Sequence, residues 1–209
     1  MIISIDGAST DLSVALADPD GSLIADDAWS GTQRQSAELL PRLLALLHDA
    51  GRSLAGVTAL AVGTGPGSFT GLRVAMALSK GLAAGLGQPI VGIPSLPAWL
   101  DAEPDAGAAV ARAGARDAYL LVRGADEPRI VDRDELASVP RPLVAAAELA
   151  VAFELDGARA PRGAGAIARR AAARLASAPT GDDVAMLEPI YLRAPRGVAA
   201  ESTERVTWL

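Results

Sequence analysis

Between residues 63 and 73 the chain reads Gly63-Thr64-Gly65-Pro66-Gly67-Ser68-Phe69-Thr70-Gly71-Leu72-Arg73, and this segment limits the choice of fold more than any other. An apolar run, Val57 to Val62, precedes it, and a helix-forming stretch, Leu72 to Leu86, follows. A buried strand that turns into a helix through glycines places backbone N–H groups and a helix N-terminus where they can face an anion. Gly63, Gly65, Gly67 and Gly71 permit positive φ and close approach, while Pro66 stiffens the turn. The segment lacks the Gly-Lys-Ser/Thr ending of a P-loop and the spacing of a dinucleotide fingerprint. A plainer reading stays open beside the anion site: a tight connection in which Ser68 or Thr70 caps the helix.

The residues before this loop supply the rest of an α/β lobe. Met1 to Asp6 is a short apolar run ending in a carboxylate, and Asp6-Gly7-Ala8-Ser9-Thr10 is turn chemistry. Leu12 to Ala17 reads as a second strand, and Pro19-Asp20-Gly21 reverses the chain into a third, Ser22 to Asp27. Two hairpins in succession make a three-stranded antiparallel meander. Arg34 to Ala50 is a leucine-rich helix closed by Gly51 at C′. With Pro89 to Ile93 as a further strand, the order is strand, strand, strand, helix, strand, helix, strand. That order predicts a mixed sheet covered by helices.

The second half carries weaker signals. Asp101 to Gly107 reads as a linker, Ala118 to Val122 and Arg129 to Val131 as short strands, and Pro140 to Pro142 as a break. Ala164 to Ala176 is a helix of alanine and arginine, Asp182-Asp183 a loop, and Pro189 to Arg193 extended. The first half's pattern does not repeat visibly. The expected division is an N-terminal lobe over 1–100 and a degenerate C-terminal lobe over 101–209.

Composition narrows the chemistry. Half of the 209 residues are apolar and only 3% aromatic, so the core is built from Ala, Val, Leu and Ile. With no cysteine there is no disulfide framework and no thiolate metal site. A single histidine, His48, excludes any scheme needing two imidazoles, and it reads as a cation at its helix C-terminus. The net charge of −6 lacks the basic footprint of a nucleic-acid binder. Ser53 to Leu72 and Gly81 to Leu100 carry no charge, but glycines and prolines interrupt both, so neither forms a membrane span. The expectation is a soluble, cytoplasmic protein.

Three further features carry information. Asp6, Ser9 and Thr10, in the first turn, could hold a metal-bound phosphate or form an Asx-type turn. On the first helix, Leu39, Leu40, Leu43, Leu44, Leu46 and Leu47 span a wider arc than the roughly 100° stripe of an amphipathic surface helix, so a partner could bury the surplus. The second helix carries small residues, Ala75, Ala77, Ala83 and Ala84, that permit close helix approach. Arg73 and Lys80 lie one heptad apart on it. Arg169, Arg170 and Arg174 make a small basic patch that an ordinary surface helix explains.

The run GTGPGSFTGLR from Gly63 to Arg73, with its flanking strand, its helix and Pro89 to Ser95, resembles the signature of the TsaB (YeaZ) family. The resemblance extends from Ile5-Asp6 through Leu96 and resumes at Pro189-Ile190-Tyr191-Leu192-Arg193, similar to the family's Pro-x-Tyr-Leu-Arg. Gln35-Ser36 stands where the family often has His-Ser/Thr. Of the family's Asp-Ala-Arg-x-Gly-Glu-Val-Tyr, only Arg116-Asp117-Ala118-Tyr119 remains nearby.

The resemblance implies the α/β two-lobe fold of actin, sugar kinases and heat-shock-70 proteins, which is ribonuclease H-like, with the second lobe shortened. It implies a non-catalytic subunit of the machinery that forms N6-threonylcarbamoyladenosine at position 37 of tRNAs reading ANN codons. Such a subunit binds the catalytic paralogue TsaD through two N-lobe helices, forms a scaffold to which the ATPase TsaE docks, and meets tRNA only through the complex. The paralogue holds its metal with a His-x-x-x-His pair, which one histidine cannot supply; a peptidase activity has no chemistry here. On this reading Leu39, Leu40, Leu43, Leu44, Leu47, Met76 and Lys80 form the partner interface, and Asp6, Ser9 and Thr10 are a vestigial phosphate turn. No cofactor or metal is intrinsic, but ADP or ATP has a place at the partner interface, near Gly63, Gly65, Pro66, Gly67, Ser68, Phe69, Thr70, Gly71 and Arg73. Self-pairing through the same helices is the expectation for a sticky face without its partner. The alternative is an active ATPase or phosphotransferase of the same superfold. That activity needs a second phosphate loop with a carboxylate, which the later glycine cluster Gly163 to Ala166 lacks, so the cluster reads as a vestigial adenosine-side loop.

Overall fold

The computed structural model describes residues 1–31 and 34–190, and Tyr191 to Arg193 therefore lie outside the described residues. The first sheet is formed by β1 (Ile2–Asp6), β2 (Asp11–Ala17), β3 (Leu23–Ser30), β4 (Ala59–Gly63) and β5 (Ile90–Ile93), in the order β3-β2-β1-β4-β5. The expected meander is present: β1 runs antiparallel to β2, with Ile2 opposite Ala17, and β2 antiparallel to β3. β4 and β5 extend the sheet in parallel from β1.

Every residue of β1 and β4 is buried, because helices cover both faces of this sheet. On one face Ile3, Ile5 and Leu60 meet α1 (Gln35–Asp49) and α2 (Phe69–Leu86). α1 ends as its sequence predicts, with Gly51 at φ +63°. Its last carbonyls are closed by the Gly51 N–H to His48 O at 2.9 Å and the Arg52 N–H to Leu47 O at 2.8 Å. α2 begins three residues before the predicted Leu72, because Ser68 caps it, its hydroxyl accepting the Gly71 N–H at 3.2 Å.

The first sheet is followed by α3 (Ser95–Ala102), a helix in a stretch that the sequence does not announce. It is short and carries Pro97, tolerated because first-turn N–H groups have no intrahelical partner.

The second sheet comprises β6 (Ala108–Arg112), β7 (Ala118–Val122), β8 (Arg129–Val131) and β9 (Leu143–Ala145), in the order β8-β7-β6-β9. β6, β7 and β8 form an antiparallel meander, and β9 runs parallel to β6. This repeats the first sheet strand for strand except for its fifth. Two short helices accompany it, α4 (Arg133–Leu136) and α5 (Ala147–Phe153).

α6 (Ala164–Ser177) follows the second sheet in sequence but packs on the first, where Ala166, Ala168, Ala171 and Ala172 lie against Ile2, Ala61 and Val91. Small side chains bring it close enough for Ser4 Oγ to donate to Ala164 O at 2.7 Å, and for the Ala164 N–H to reach Ser13 Oγ at 3.1 Å. The stretch assigned by chain order to the lobe over 101–209 thus contributes a helix to the first sheet. Two arginines of the basic patch on α6 are paired, Arg170 with Asp101 at 2.5 Å and Arg174 with Asp182. Among the described residues no helix is long and apolar enough to cross a membrane.

Candidate functional site

The glycine loop and the first turn are pressed together, backbone to backbone. The Ser68 N–H donates to Ala8 O at 2.7 Å. A Cβ at Gly67 would collide with the Ala8 carbonyl, and a Cβ at Gly71 with the Gly7 carbonyl. Gly65, at φ +90°, donates its N–H to Ser95 Oγ at 3.1 Å and accepts the Ser95 N–H at 2.9 Å. Close approach is therefore what these glycines provide, as the plainer reading of the loop requires.

The named loop residues separate in space. Gly63, Gly65 and Pro66 are buried inside the junction. Gly67, Ser68, Phe69 and Thr70 open onto a cavity of about 250 Å³, together with Ser9 and Thr10, facing Arg112 and Glu148 of the second lobe. Arg73 lies elsewhere, in a groove of about 340 Å³ that it shares with Met76, Lys80, Leu187 and Glu188. Its guanidinium stacks over the Phe69 ring at 3.8 Å.

Asp6 does not face the cavity. It is 3% exposed, and its carboxylate accepts the Ala8 N–H at 3.2 Å, the Ser95 hydroxyl at 2.9 Å and the Trp99 indole N–H at 2.5 Å. Burial pushes its pKa above the ordinary carboxylate value, while the three donors pull the other way and lose. The Asp6-to-Ala8 bond is an Asx-type turn. Ser9 makes the equivalent hydroxyl turn, donating to Asp11 O at 2.8 Å and accepting the Asp11 N–H at 3.1 Å. Among the described residues no group of three or more His, Asp or Glu side chains is placed to hold a metal ion.

The helix face assigned to a partner is corrected in part. Leu39, Leu43 and Leu47 are at most 3% exposed and Met76 5%, all inside the chain's own core. The four-residue spacing turns the three leucines onto the first sheet. Leu40 and Leu44, 38% and 44% exposed, remain on the outer face. On α2, Ala77, Gly81 and Ala84 are exposed and Lys80 is half-buried. Ser95 and Trp99 complete the Asp6 network and were not singled out by sequence reasoning; the one signal was a tryptophan in a chain so poor in aromatics.

Residues 30–155, more than half of the chain, match the family model described as TsaD, tRNA N6-adenosine threonylcarbamoyltransferase. The tRNA threonylcarbamoyladenosine biosynthesis protein TsaB of Escherichia coli is 38% identical over 95 residues, 46% of this chain and 40% of that protein. A solved structure titled YeaZ from Pseudomonas aeruginosa superposes with a TM-score of 0.69 at 25% identity, covering 91% of this chain and 99% of the other. The chain belongs to the TsaB (YeaZ) family. Its fold is the α/β fold of YeaZ, with two mixed sheets and their helices. In Bacillus subtilis TsaB, 33% identical, the match covers 46% of this chain and 41% of the relative. The chain thus matches less than half the length of the curated TsaB proteins.

Proposed function

We propose that this chain is a non-catalytic scaffold subunit in the formation of N6-threonylcarbamoyladenosine on tRNA, pairing with a TsaD-like catalytic subunit. The observation that carries the reading is the outer face of α1 and α2. Leu40 and Leu44 stand exposed on α1, and α2, which packs against α1, exposes the small residues Ala77, Gly81 and Ala84, which allow a partner's helix to approach closely. Family membership supports the pathway, and the enclosure of Asp6 weighs against the alternative of an ATPase or phosphotransferase, which needs that carboxylate in the cleft. A TsaE-like ATPase docks on the pair, tRNA is held mainly by the partner, and the cytoplasm is the compartment. ADP or ATP binds where Arg73 and the partner meet. In the absence of the partner the same face pairs with a second copy.

The test is co-purification of the tagged chain with the TsaD-like protein of the same genome. A stoichiometric complex is expected, weakened roughly thirtyfold or more by Leu44→Glu, since truncating or charging a central anchor costs at least about 2 kcal/mol. Because Leu44 is exposed in the free chain, this variant folds. Unchanged affinity of folded Leu44→Glu would remove the helix face from the interface, and absence of any complex would sink the scaffold reading.

A further inference from the structure

Asp6 ends β1 two residues before Ala8, which lines the cavity between the lobes, and its carboxylate is turned inward onto three donors of the protein itself. The Trp99 indole covers Oδ2, and Ser95 ties Oδ1 to the Gly65 N–H of the glycine loop. Behind them Gly163, the residue before α6, fits only as glycine: a Cβ there would meet the Trp99 ring at 2.6 Å and Asp6 Oδ2 at 2.7 Å. Trp99 itself is completely buried. Its ring sits in a cluster that joins Leu72 and Leu96 of the first lobe to Ala109, Tyr119 and Leu121 of the second.

We infer that Trp99 is a fixed plug, whose indole closes the Asp6 position to metal ions and phosphates and fastens the two lobes through the same ring. A cation or phosphate entering at Asp6 must first displace the largest fully buried side chain among the described residues. Displacement strips the contacts that hold the second sheet against α3, so ligand entry and lobe separation oppose the same packing. The plug is a property of the chain itself and holds whichever partner the outer helices meet.

The experiment uses the full chain labelled with ¹⁵N. In the native protein the Trp99 indole N–H is expected to exchange with solvent roughly tenfold slower than that of Trp29, which donates to Glu38 near the surface. Added Mn²⁺ is expected to leave the amide signals of Ala8 and Gly65 unbroadened. Trp99→Phe retains a ring and removes the donor. It should speed amide exchange at Ala8, Gly65 and β6 by roughly tenfold while α1 keeps its native protection, the size expected for one charge-assisted hydrogen bond. Mn²⁺ broadening centred on Ala8 and Gly65 would overturn the plug. So would a Trp99 indole exchanging as fast as that of Trp29, or a folded Trp99→Phe with unchanged protection at the junction. If Trp99→Phe fails to fold, the two measurements on the native chain decide.

Discussion

The first sheet has helices on both faces, α1 and α2 on one and α6 with α3 on the other, whereas the second sheet has its own helices on one face only. Its α4 and α5 are 4 and 7 residues long, against 15 and 18 for α1 and α2. The opposite face of the second sheet is covered by Leu96, Trp99 and Leu100, which belong to α3. A fifth strand is reduced to one bridge: the Arg159 N–H donates to Leu143 O and the Ala145 N–H to Arg159 O, each at 2.9 Å. Even the start of α5 is held from the other lobe, its Ala147 N–H donating to the Asp11 carboxylate at 3.1 Å. The same topology therefore produces one lobe that carries its own core and one that borrows a layer. Dependence runs in one direction.

The strongest way to break that comparison is to cut an equivalent side chain from each core. Leu60→Ala and Leu120→Ala each remove a buried leucine, at most 1% exposed, and each is expected to cost about 2–5 kcal/mol. Their reach should differ. Hydrogen exchange should show lost protection in both lobes for Leu60→Ala, and in the second sheet alone for Leu120→Ala. Equal loss in the first lobe from Leu120→Ala would show that the lobes unfold as one unit.

A smaller effect is expected at Arg123, on the turn after β7, which clamps the chain between the lobes. Its guanidinium donates to Ala106 O and Leu100 O at 2.7 Å and to Glu103 O at 2.8 Å. Arg123→Ala leaves carbonyls at the end of α3 without these donors, and should cost about 2 kcal/mol, the scale of hydrogen bonds to a charged group. Arg170→Ala, which removes only an exposed pair with Asp101, is the control and should cost under about 1 kcal/mol. Similar melting temperatures for the two variants would deny Arg123 its clamping role.

The asymmetry between lobes also decided what the sequence revealed. The first lobe announces itself because long elements carry a clear period and end at Gly51 and Gly87, both at positive φ. β6 is Ala-Ala-Val-Ala-Arg, β9 only three residues, and neither has a pattern long enough to register. The topological repeat lies in hydrogen bonding between strands, not in matching residues, and so it was invisible. At the site, the turn and the glycine loop were legible as local chemistry. The Asp6–Trp99 bond was not, because it joins residues far apart in sequence and no local rule links them. The wide leucine arc of α1 leaves a surplus for a partner to bury, and the resemblance assigns Leu39, Leu40, Leu43, Leu44 and Leu47 together to that interface. The arc is two faces, Leu39, Leu43 and Leu47 turned inward and Leu40 and Leu44 outward, and only the neighbouring sheet separates them.

The smallest effect sharpens the comparison at the point where the lobes meet. Burial raises the pKa of folded Asp6 above its ordinary value of 3.8, so over the interval between the two the folded state binds more protons than the unfolded one. Stability then falls as pH rises through that interval, and each unit of elevation costs about 1.4 kcal/mol once both states are ionised. Asp6→Asn removes this dependence. It also sets an amide N–H₂ against one of the surrounding donors, a mismatch that lowers stability by an amount independent of pH. The informative quantity is thus the difference in unfolding free energy, variant minus native, measured by denaturant titration from acid to neutral pH. It should rise with pH across the interval and level off above it. A flat or falling difference would mean that the hydrogen bonds from Ala8, Ser95 and Trp99 outweigh burial at Asp6. The junction would then be held by a fully satisfied carboxylate, and the second lobe would lean on an ionic anchor as well as on an apolar one.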